Sequence, residues 1–174
     1  MAVLPPKPLA EDDDRACFDC GRASLNQWFQ RHAWVNHVSG VSRVTVLADE
    51  ADGRIVGYVT LSAAQIERAW LPKALQRNRP DPIPATLLGQ LAVDLRDQGQ
   101  GHARSLLFFA LRTALQASAL VGSAGVITHS LDDTVRAFYR RWGFQDLPFD
   151  PRRAMIVRMT DLRMDFAGVA PDIS

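Results

Sequence analysis

The stretch Leu87–Leu115, LLGQLAVDLRDQGQGHARSLLFFALRTAL, decides the fold. It begins with an apolar run of strand length, Leu87–Leu95, and continues through a polar turn that contains Gly99 and Gly101. A strand that leads through glycines directly into a helix exposes backbone N–H groups at the positive end of the helix dipole. The stretch therefore predicts a strand, a turn and a helix that bind a phosphate group. The apolar residues of this helix recur at the spacing of one buried face: Leu107, Ala110, Leu111 and Ala114.

The residues around the two glycines limit which phosphate ligand is expected. A P-loop requires Gly-Lys-Ser/Thr, which is absent. A dinucleotide fingerprint requires Gly or Ala where Arg104 stands and an acidic residue about 20 positions later. No Asp or Glu occurs between Gln98 and Leu131, whereas Arg104 and His102 suit an additional phosphate. The segment Gln98–Ala103, QGQGHA, instead fits Q/R-x-x-G-x-G/A, the acyl-CoA signature of the GNAT N-acetyltransferases, which this chain resembles. For this motif alone, a plain tight corner between strand and helix is the alternative.

Length and composition indicate one globular domain. A chain of 174 residues, 47% hydrophobic and 22% charged, can bury a full core. Residues 1–10 lack the features of a signal peptide, and no stretch is long and apolar enough to span a membrane. We expect a single cytoplasmic domain over residues 1–174, with no membrane contact. Residues 1–16 are expected to form an N-terminal arm or edge strand, and residues 161–174 a C-terminal tail.

The remaining patterns predict helices and strands in the order of an α/β or α+β chain with a mixed sheet. The predicted elements are a helix capped by Ser24 and ended by Gly40, a hairpin of Arg43–Ala48 and Arg54–Ser62, an irregular connection with a short helix from Ala63 to Pro84, a strand Gly125–Ser130, a helix capped by Ser130 and ended by Gly143, and a strand Met155–Met159.

Two cysteines and two histidines near the N-terminus have a spacing that approaches a zinc finger. Cys17, Cys20, His32 and His37 give C-x2-C-x11-H-x4-H, one residue shorter than the usual finger. One residue rotates a helical ligand by about 100°, and no hairpin is predicted before Cys17. A redox pair would require a preceding βαβ unit. We therefore expect two reduced cysteines and no metal.

A second motif follows the predicted strand Gly125–Ser130. The segment Leu131–Phe144, LDDTVRAFYRRWGF, contains aromatic-Tyr-x-x-x-Gly-Phe about 40 residues after the glycine turn, as GNAT domains do. A phenol with a pKa near 10 is protonated at neutral pH and can donate a proton to a leaving thiolate. Tyr139 is thus the candidate catalytic acid, and a tyrosine packed in the core with its hydroxyl at the rim is the alternative. Tyr58 is a weaker candidate, and no general base is evident, since Asp94 is expected to cap a turn or to be solvated.

Arginine is concentrated in the C-terminal part of the chain. Six arginines and only two acidic residues lie from Thr134 to Arg158, and Arg77 and Arg79 precede them in the proline-rich connection. Such a cluster can bind an RNA backbone, serve the phosphates of coenzyme A, or form a solvated helix face. The charges alone leave these alternatives open.

Longer blocks resemble a narrower class of proteins. PDPIP-x-x-LLGQLAVD, LDD-x-x-x-x-FYRRWGF and FDCGRASLNQWFQRHAW are similar to the GNAT toxins of bacterial toxin–antitoxin pairs, and the resemblance spans roughly residues 17–160. It implies a mixed, mostly antiparallel sheet with splayed central strands, flanked by helices. It also implies transfer of an acetyl group from acetyl-CoA to the α-amine of aminoacyl-tRNA, which blocks translation. A homodimer and a ribbon-helix-helix antitoxin are the partners that it implies.

The resemblance assigns roles to individual positions. Tyr139 would be the catalytic acid, and Asp132 stands where GNAT enzymes often have an asparagine that contacts CoA. Acetyl-CoA would be held by Leu91, Ala92, Val93, Gln98, Gly99, Gln100, Gly101, His102, Ala103 and Arg104. The substrate would contact Arg77, Arg79, Arg136, Arg140 and Arg141. A GNAT enzyme that acetylates a small-molecule amine or a protein N-terminus is the alternative, followed by a non-catalytic acyl-CoA-binding module.

Overall fold

The structure is a computed structural model and describes residues 2–167. Its elements, in chain order, are β1 (Lys7–Pro8), α1 (Ala23–Arg31), α2 (Ala33–Ser39), β2 (Arg43–Ala48), β3 (Ile55–Ile66), α3 (Lys73–Gln76), β4 (Ile83–Val93), α4 (His102–Ala117), β5 (Gly125–Thr128), α5 (Asp133–Arg141), β6 (Gln145–Asp146), β7 (Met155–Arg158) and α6 (Met159–Asp165). Two short 3-10 helices, Arg68–Trp70 and Leu95–Asp97, lie in the connections before α3 and after β4.

The strands form one seven-stranded sheet in the order β1-β2-β3-β4-β5-β7-β6. The pairs β1/β2, β2/β3, β5/β7 and β6/β7 are antiparallel. The mixed α/β class with a mostly antiparallel sheet and flanking helices is therefore confirmed. Two compact units divide the chain: the first comprises Met1–Ser62 with Leu88–Ala110, and the second Ala63–Leu87 with Leu111–Ser174.

The core of the first unit is built on the β2/β3 hairpin. The hairpin pairs Val46 with Tyr58 and bulges between Leu47 and Ala48. The Tyr58 ring is stacked on Phe29 of α1, with ring centroids 4.3 Å apart. Its hydroxyl oxygen lies 2.9 Å from the Leu25 carbonyl oxygen and 2.7 Å from Gln90 Oε1. Burial raises the pKa of this phenol. Tyr58 therefore anchors α1 to the sheet, which agrees with its weaker candidacy for catalysis.

The core of the second unit surrounds the β5/β7 pair. The register places Val126 opposite Val157 and Ile127 opposite Ile156. A side chain at Gly125 would meet the Val157 carbonyl oxygen at 2.4 Å, so only glycine allows this close approach. Apolar side chains of several elements fill the interior: Ile66, Leu71, Ile83, Ala85, Leu147 and Ala154 join Ile127 and Ile156.

Several predicted boundaries were wrong. Ser24 lies inside α1, whose N-cap is Arg22, and no side chain caps this helix. The irregular connection predicted from Ala63 to Pro84 is shorter, because β3 continues to Ile66 and β4 already begins at Ile83. Sheet pairing overrides the weak strand propensity of these residues.

The end of the described chain also differs from expectation. Residues 161–165, predicted as part of a tail, belong to α6, and residues 168–174 of that tail lie outside the described residues. The N-terminal edge strand is present as β1, which pairs with β2. No helix within residues 2–167 combines the length and apolarity needed to cross a membrane.

Candidate active site

The glycine turn between β4 and α4 has the geometry of an open cradle. Gly99 and Gly101 have φ angles of +77° and +85°, which residues with a side chain rarely adopt. The space beside them is open, since a Cβ added at either position would meet nothing within 4 Å. The first backbone bond of α4 runs from the Ser105 N–H to the Gly101 carbonyl. The backbone N–H groups just before Ser105 belong to the first turn of the helix, so no helical carbonyl accepts a hydrogen bond from them. This arrangement fits the diphosphate of an acyl-CoA, which needs close approach to backbone N–H groups.

A buried aspartate fixes the chain between β4 and the turn. Asp94 is 1% exposed and accepts hydrogen bonds from the Arg96 side chain, from the Arg96 amide and from the Asp19 amide. Burial alone would raise the pKa of this carboxyl, but these bonds outweigh it and hold the pKa at about 2. Asp94 is therefore a turn-capping anion, as expected, and its carboxylate is too weakly basic to remove a proton from an amine.

A second buried aspartate, absent from the predicted site residues, lies directly before the turn. The Asp97 carboxylate receives two hydrogen bonds from the Arg54 guanidinium, at 2.7 and 3.2 Å. Since Arg54 immediately precedes β3, this pair connects the glycine turn to the β2/β3 hairpin. The sequence signal was a carboxylate adjoining the motif, but its partner 43 residues away is visible only in the fold.

Gln98 connects the turn to its surroundings through its side chain. Its Nε2 donates to the Val93 carbonyl at 3.0 Å and to the Cys20 carbonyl at 3.2 Å. The Val93 carbonyl, predicted to serve the ligand, thus already accepts a hydrogen bond from within the protein. Of the other residues predicted to hold the cofactor, Leu91 and Ala103 are half-buried, Ala92 is buried, and Gln100 and Arg104 are exposed.

His102 differs from its prediction. The imidazole is buried, and its Nε2 has no hydrogen-bond partner among residues 2–167. The side chain therefore belongs to the interior, and only its backbone amide remains suited to a phosphate. Arg104 is exposed at the first turn of α4 and keeps the role of a side-chain phosphate ligand as a prediction.

Tyr139 lies on α5 in the second unit and is 4% exposed. Its ring centroid lies 5.4 Å from that of Phe138 and 5.1 Å from that of Phe144. Burial raises the pKa of the phenol to about 12, although a side-chain hydrogen bond with Thr128 opposes the shift. The group is therefore protonated at neutral pH and can act as an acid. Burial of the ring also agrees with the packing role that was the alternative.

Asp132 has a structural role at the start of α5. Its Oδ1 accepts a hydrogen bond from the Val135 amide at 2.9 Å, so Asp132 is the N-cap of the helix that carries Tyr139. The prediction that Ser130 caps this helix was wrong. Asp132 is exposed, and its predicted contact with CoA stays a prediction.

Four of the five arginines predicted to contact the substrate are exposed: Arg77, Arg79, Arg140 and Arg141. The fifth, Arg136, is 5% exposed, which contradicts its assignment to an RNA surface. Its guanidinium donates to Ser130 Oγ and to the Arg153 carbonyl, and it is paired with the Asp146 carboxylate. Arg136 is therefore an internal connection within the second unit and is unavailable to a phosphate.

The residues with zinc-finger spacing have separate environments. Cys17 is exposed and Cys20 is buried, and both are free thiols. His37 Nδ1 accepts a hydrogen bond from the Val44 amide at 3.0 Å. Within residues 2–167, no group of three or more potential ligands is placed to hold a metal ion.

The structure thus places the predicted cofactor residues, Leu91–Val93 and Gln98–Arg104, in the first unit. Tyr139, Asp132 and the predicted substrate arginines belong to the second unit.

Comparison with known proteins gives concordant matches. A family model for the acetyltransferase (GNAT) domain matches residues 41–146. The tRNA-acetylating toxin of Mycobacterium tuberculosis is 37% identical over 158 residues, which cover 91% of this chain and 93% of that toxin. The solved structure of AtaT complexed with acetyl-methionyl-tRNAfMet has a TM-score of 0.86 and 30% identity, and the match covers 95% of this chain and 99% of that chain. A Tyr-to-Phe mutant of AtaT, bound to the C-terminus of the antitoxin AtaR and acetyl-CoA, has a TM-score of 0.80 and 27% identity over 94% of this chain and 98% of that one.

Proposed function

The chain belongs to the GNAT acetyltransferase family, and we propose that it acetylates the α-amine of an aminoacyl-tRNA and thereby blocks translation. It is an N-acetyltransferase that uses acetyl-CoA. The acceptor is supported by two matches: the relative from M. tuberculosis is named a tRNA-acetylating toxin, and AtaT is complexed with acetyl-methionyl-tRNA. The observation that carries the proposal is the open glycine cradle in a chain of which 91% aligns with that toxin.

We propose that the cradle holds the diphosphate of acetyl-CoA through backbone amides and Arg104. When bound, acetyl-CoA supplies a thioester whose carbon accepts an amine and whose sulfur needs a proton on leaving. Tyr139 holds such a proton on its phenol oxygen, since its pKa of about 12 keeps it neutral at physiological pH. A Tyr-to-Phe mutant was the form of AtaT bound to acetyl-CoA and antitoxin, which supports a functional tyrosine in the family.

The acceptor amine must be neutral to attack. A lysine ε-amine has a pKa near 10.4, whereas an α-amine is less basic, with a pKa near 8 when free. An α-amine therefore needs less help in losing its proton. This agrees with a site in which Asp94 is too acidic to serve as a base. The exposed arginines Arg77, Arg79, Arg140 and Arg141 are proposed to contact the RNA backbone.

We further propose that residues 1–174 act as a single acetyltransferase domain, that the protein is a cytoplasmic homodimer, and that a ribbon-helix-helix antitoxin silences it. The antitoxin is supported by the AtaT complex with the C-terminus of AtaR. The cytoplasm is where charged tRNA is found. Light scattering of the purified chain tests the dimer.

The acceptor is tested by transfer of radiolabelled acetyl groups from acetyl-CoA to a mixture of charged tRNAs. Free amino acids and a peptide with an unblocked N-terminus serve as competing acceptors in parallel reactions. We expect label on aminoacyl-tRNA, and its loss on mild alkaline treatment, which cleaves the aminoacyl ester. Label on the amino acids or the peptide alone would instead identify an enzyme for small amines or protein N-termini.

A further inference from the structure

Two loops of the second unit, each rich in arginine, meet at an aromatic side chain. The first loop, residues 67–82, joins β3 to β4, and the second, residues 147–153, joins β6 to β7. The Arg152 guanidinium lies over the ring of Trp70, 6.0 Å from its centroid. Sequence spacing alone could not place these loops together, since more than 60 residues separate them.

We propose that these loops form a stacking site for the unpaired 3′ end of tRNA, an inference that rests on the proposed function. The site, which we call the arginine–aromatic patch, is built on the contact between Trp70 and Arg152. We include in it the exposed side chains of the same two loops that suit RNA: Arg77, Arg79, Phe149 and Arg153. Its four arginines are exposed, and Phe149 is 55% exposed although phenylalanine usually packs in the core. Unpaired bases stack on aromatic rings and on guanidinium planes, while cations contact the intervening phosphates.

The charge of the two loops favours RNA over other occupants. Residues 67–82 and 147–153 contain six cationic and three acidic side chains. One of the acids, Asp150, is buried and accepts hydrogen bonds from the amides of Arg152 and Ala154. A second, Asp81, accepts from the Arg68 amide. The exposed part of the patch is therefore dominated by positive charge, and its exposed aromatic ring provides a surface that a phosphate alone would not use.

Both loops are held in place by hydrogen bonds, which limits the entropy lost on binding. Arg68 donates to the Arg79 carbonyl at 3.0 Å, across the proline-rich turn of the first loop. In the second loop, Arg153 has a φ of +55°, and its carbonyl accepts a hydrogen bond from the buried Arg136. This contact gives Arg136 a positioning role for the loop that carries Phe149 and Arg152.

The test compares the binding of deacylated tRNA with that of the same tRNA trimmed of its unpaired 3′ nucleotides, measured by fluorescence anisotropy. We expect the wild-type protein to bind the intact form roughly tenfold more tightly, the effect of about one stacked base. Phe149→Leu and Arg152→Lys keep apolarity and charge but remove the flat surfaces. Each is expected to reduce this ratio to threefold or less while leaving the affinity for trimmed tRNA within about twofold. Arg163→Ala, an exposed arginine of α6, is the control and should leave the ratio unchanged.

Three results would overturn the stacking site: an equal affinity of the wild type for both tRNAs, an unchanged ratio in both variants, or an equal loss in the Arg163→Ala control. A poly-aspartate peptide is the competing probe, as a stand-in for an acidic protein segment. If Phe149→Leu binds this peptide more weakly but keeps the same tRNA ratio, the patch is a surface for an acidic protein segment. Acetyl transfer is measured separately. A wild type that distinguishes the two tRNAs without acetylating charged tRNA would contradict the proposed function and leave the patch in place.

Discussion

The ion pair between Arg54 and Asp97 should control the affinity for acetyl-CoA from outside the cradle. The Asp97 side chain is 3% exposed and adjoins Gln98, the first residue of the turn, whereas Arg54 is 22% exposed. Arg54→Ala leaves a buried carboxylate without its two guanidinium hydrogen bonds. Asp97→Ala leaves Arg54 an ion pair with Asp49, whose carboxylate is 3.8 Å away.

The expected cost follows from burial and geometry. Removal of one member of a buried pair costs about 3–5 kcal/mol. Because water can reach part of Arg54, we expect each single variant to lose about 2–3 kcal/mol of unfolding free energy. The double variant should lose less than the sum, with a coupling energy of about 1–2 kcal/mol. If about 1.4 kcal/mol of this lost free energy had served to hold the glycine turn in its binding conformation, the dissociation constant of acetyl-CoA rises about tenfold.

The assay is a double-mutant cycle, with unfolding free energies from urea titration and acetyl-CoA affinities from calorimetry. The exposed pair Arg158–Asp161 in the second unit supplies the matched cycle, and its coupling should stay below about 1 kcal/mol. The rate at saturating acetyl-CoA should be unchanged in the Arg54 and Asp97 variants that fold. Additive losses at Arg54 and Asp97, or a lower saturated rate with unchanged affinity, would refute the positioning role.

Three further outcomes are expected. Gly101→Ala should weaken acetyl-CoA binding and cost roughly 1–2 kcal/mol of stability, because alanine is strained at a positive φ. Gly53→Ala is the control: with a similar φ of +75°, it should lose the same stability without affecting binding. Equal acetyl-CoA binding by both variants would count against the cradle. Asp94 has a folded pKa of about 2 against an ordinary value of 3.8, so its contribution of about 2 kcal/mol is present above pH 4 and lost as the pH falls toward 2. Urea titrations at pH 5 and pH 2.5 should show this loss in the wild type and a smaller one in Asp94→Asn. Asp132→Ala should cost about 1 kcal/mol in thermal unfolding, and Asp132→Asn, which still caps a helix, much less; equal losses would show that the cap is unimportant.

The parts of the fold that local chemistry determines could be predicted from the sequence. The β-branched run Arg43–Ala48 has the bounds of β2, and the left-handed conformations of Gly99 and Gly101 follow from the need for glycine in such a turn. The helix with Tyr139 ends at Arg141, two residues before Gly143, whose φ is +87°. In each case a few adjacent residues suffice.

The failures have a common physical origin in distant partners. Ser130 and Asp132 are both good N-caps two residues apart, and only the path of the chain from β5 selects Asp132. Arg136 has the sequence context of a surface arginine, but Asp146, Ser130 and the Arg153 carbonyl draw it into the interior. The same holds for Arg54 and Asp97, and for the meeting of Trp70 with Arg152. Helix α6 follows β7 directly and carries no capping side chain that could have signalled it.

The central claim is that the Tyr139 phenol supplies the proton for the leaving sulfur. Its most direct test is the single-turnover rate of acetyl transfer to charged tRNA by the wild type and by Tyr139→Phe, with acetyl-CoA affinity measured by calorimetry on the same samples. Loss of general acid catalysis typically costs a factor of about 10² to 10⁴, so the account predicts a fall of that size with affinity unchanged within about twofold. A Tyr139→Phe protein that transfers acetyl groups at the wild-type rate would contradict it.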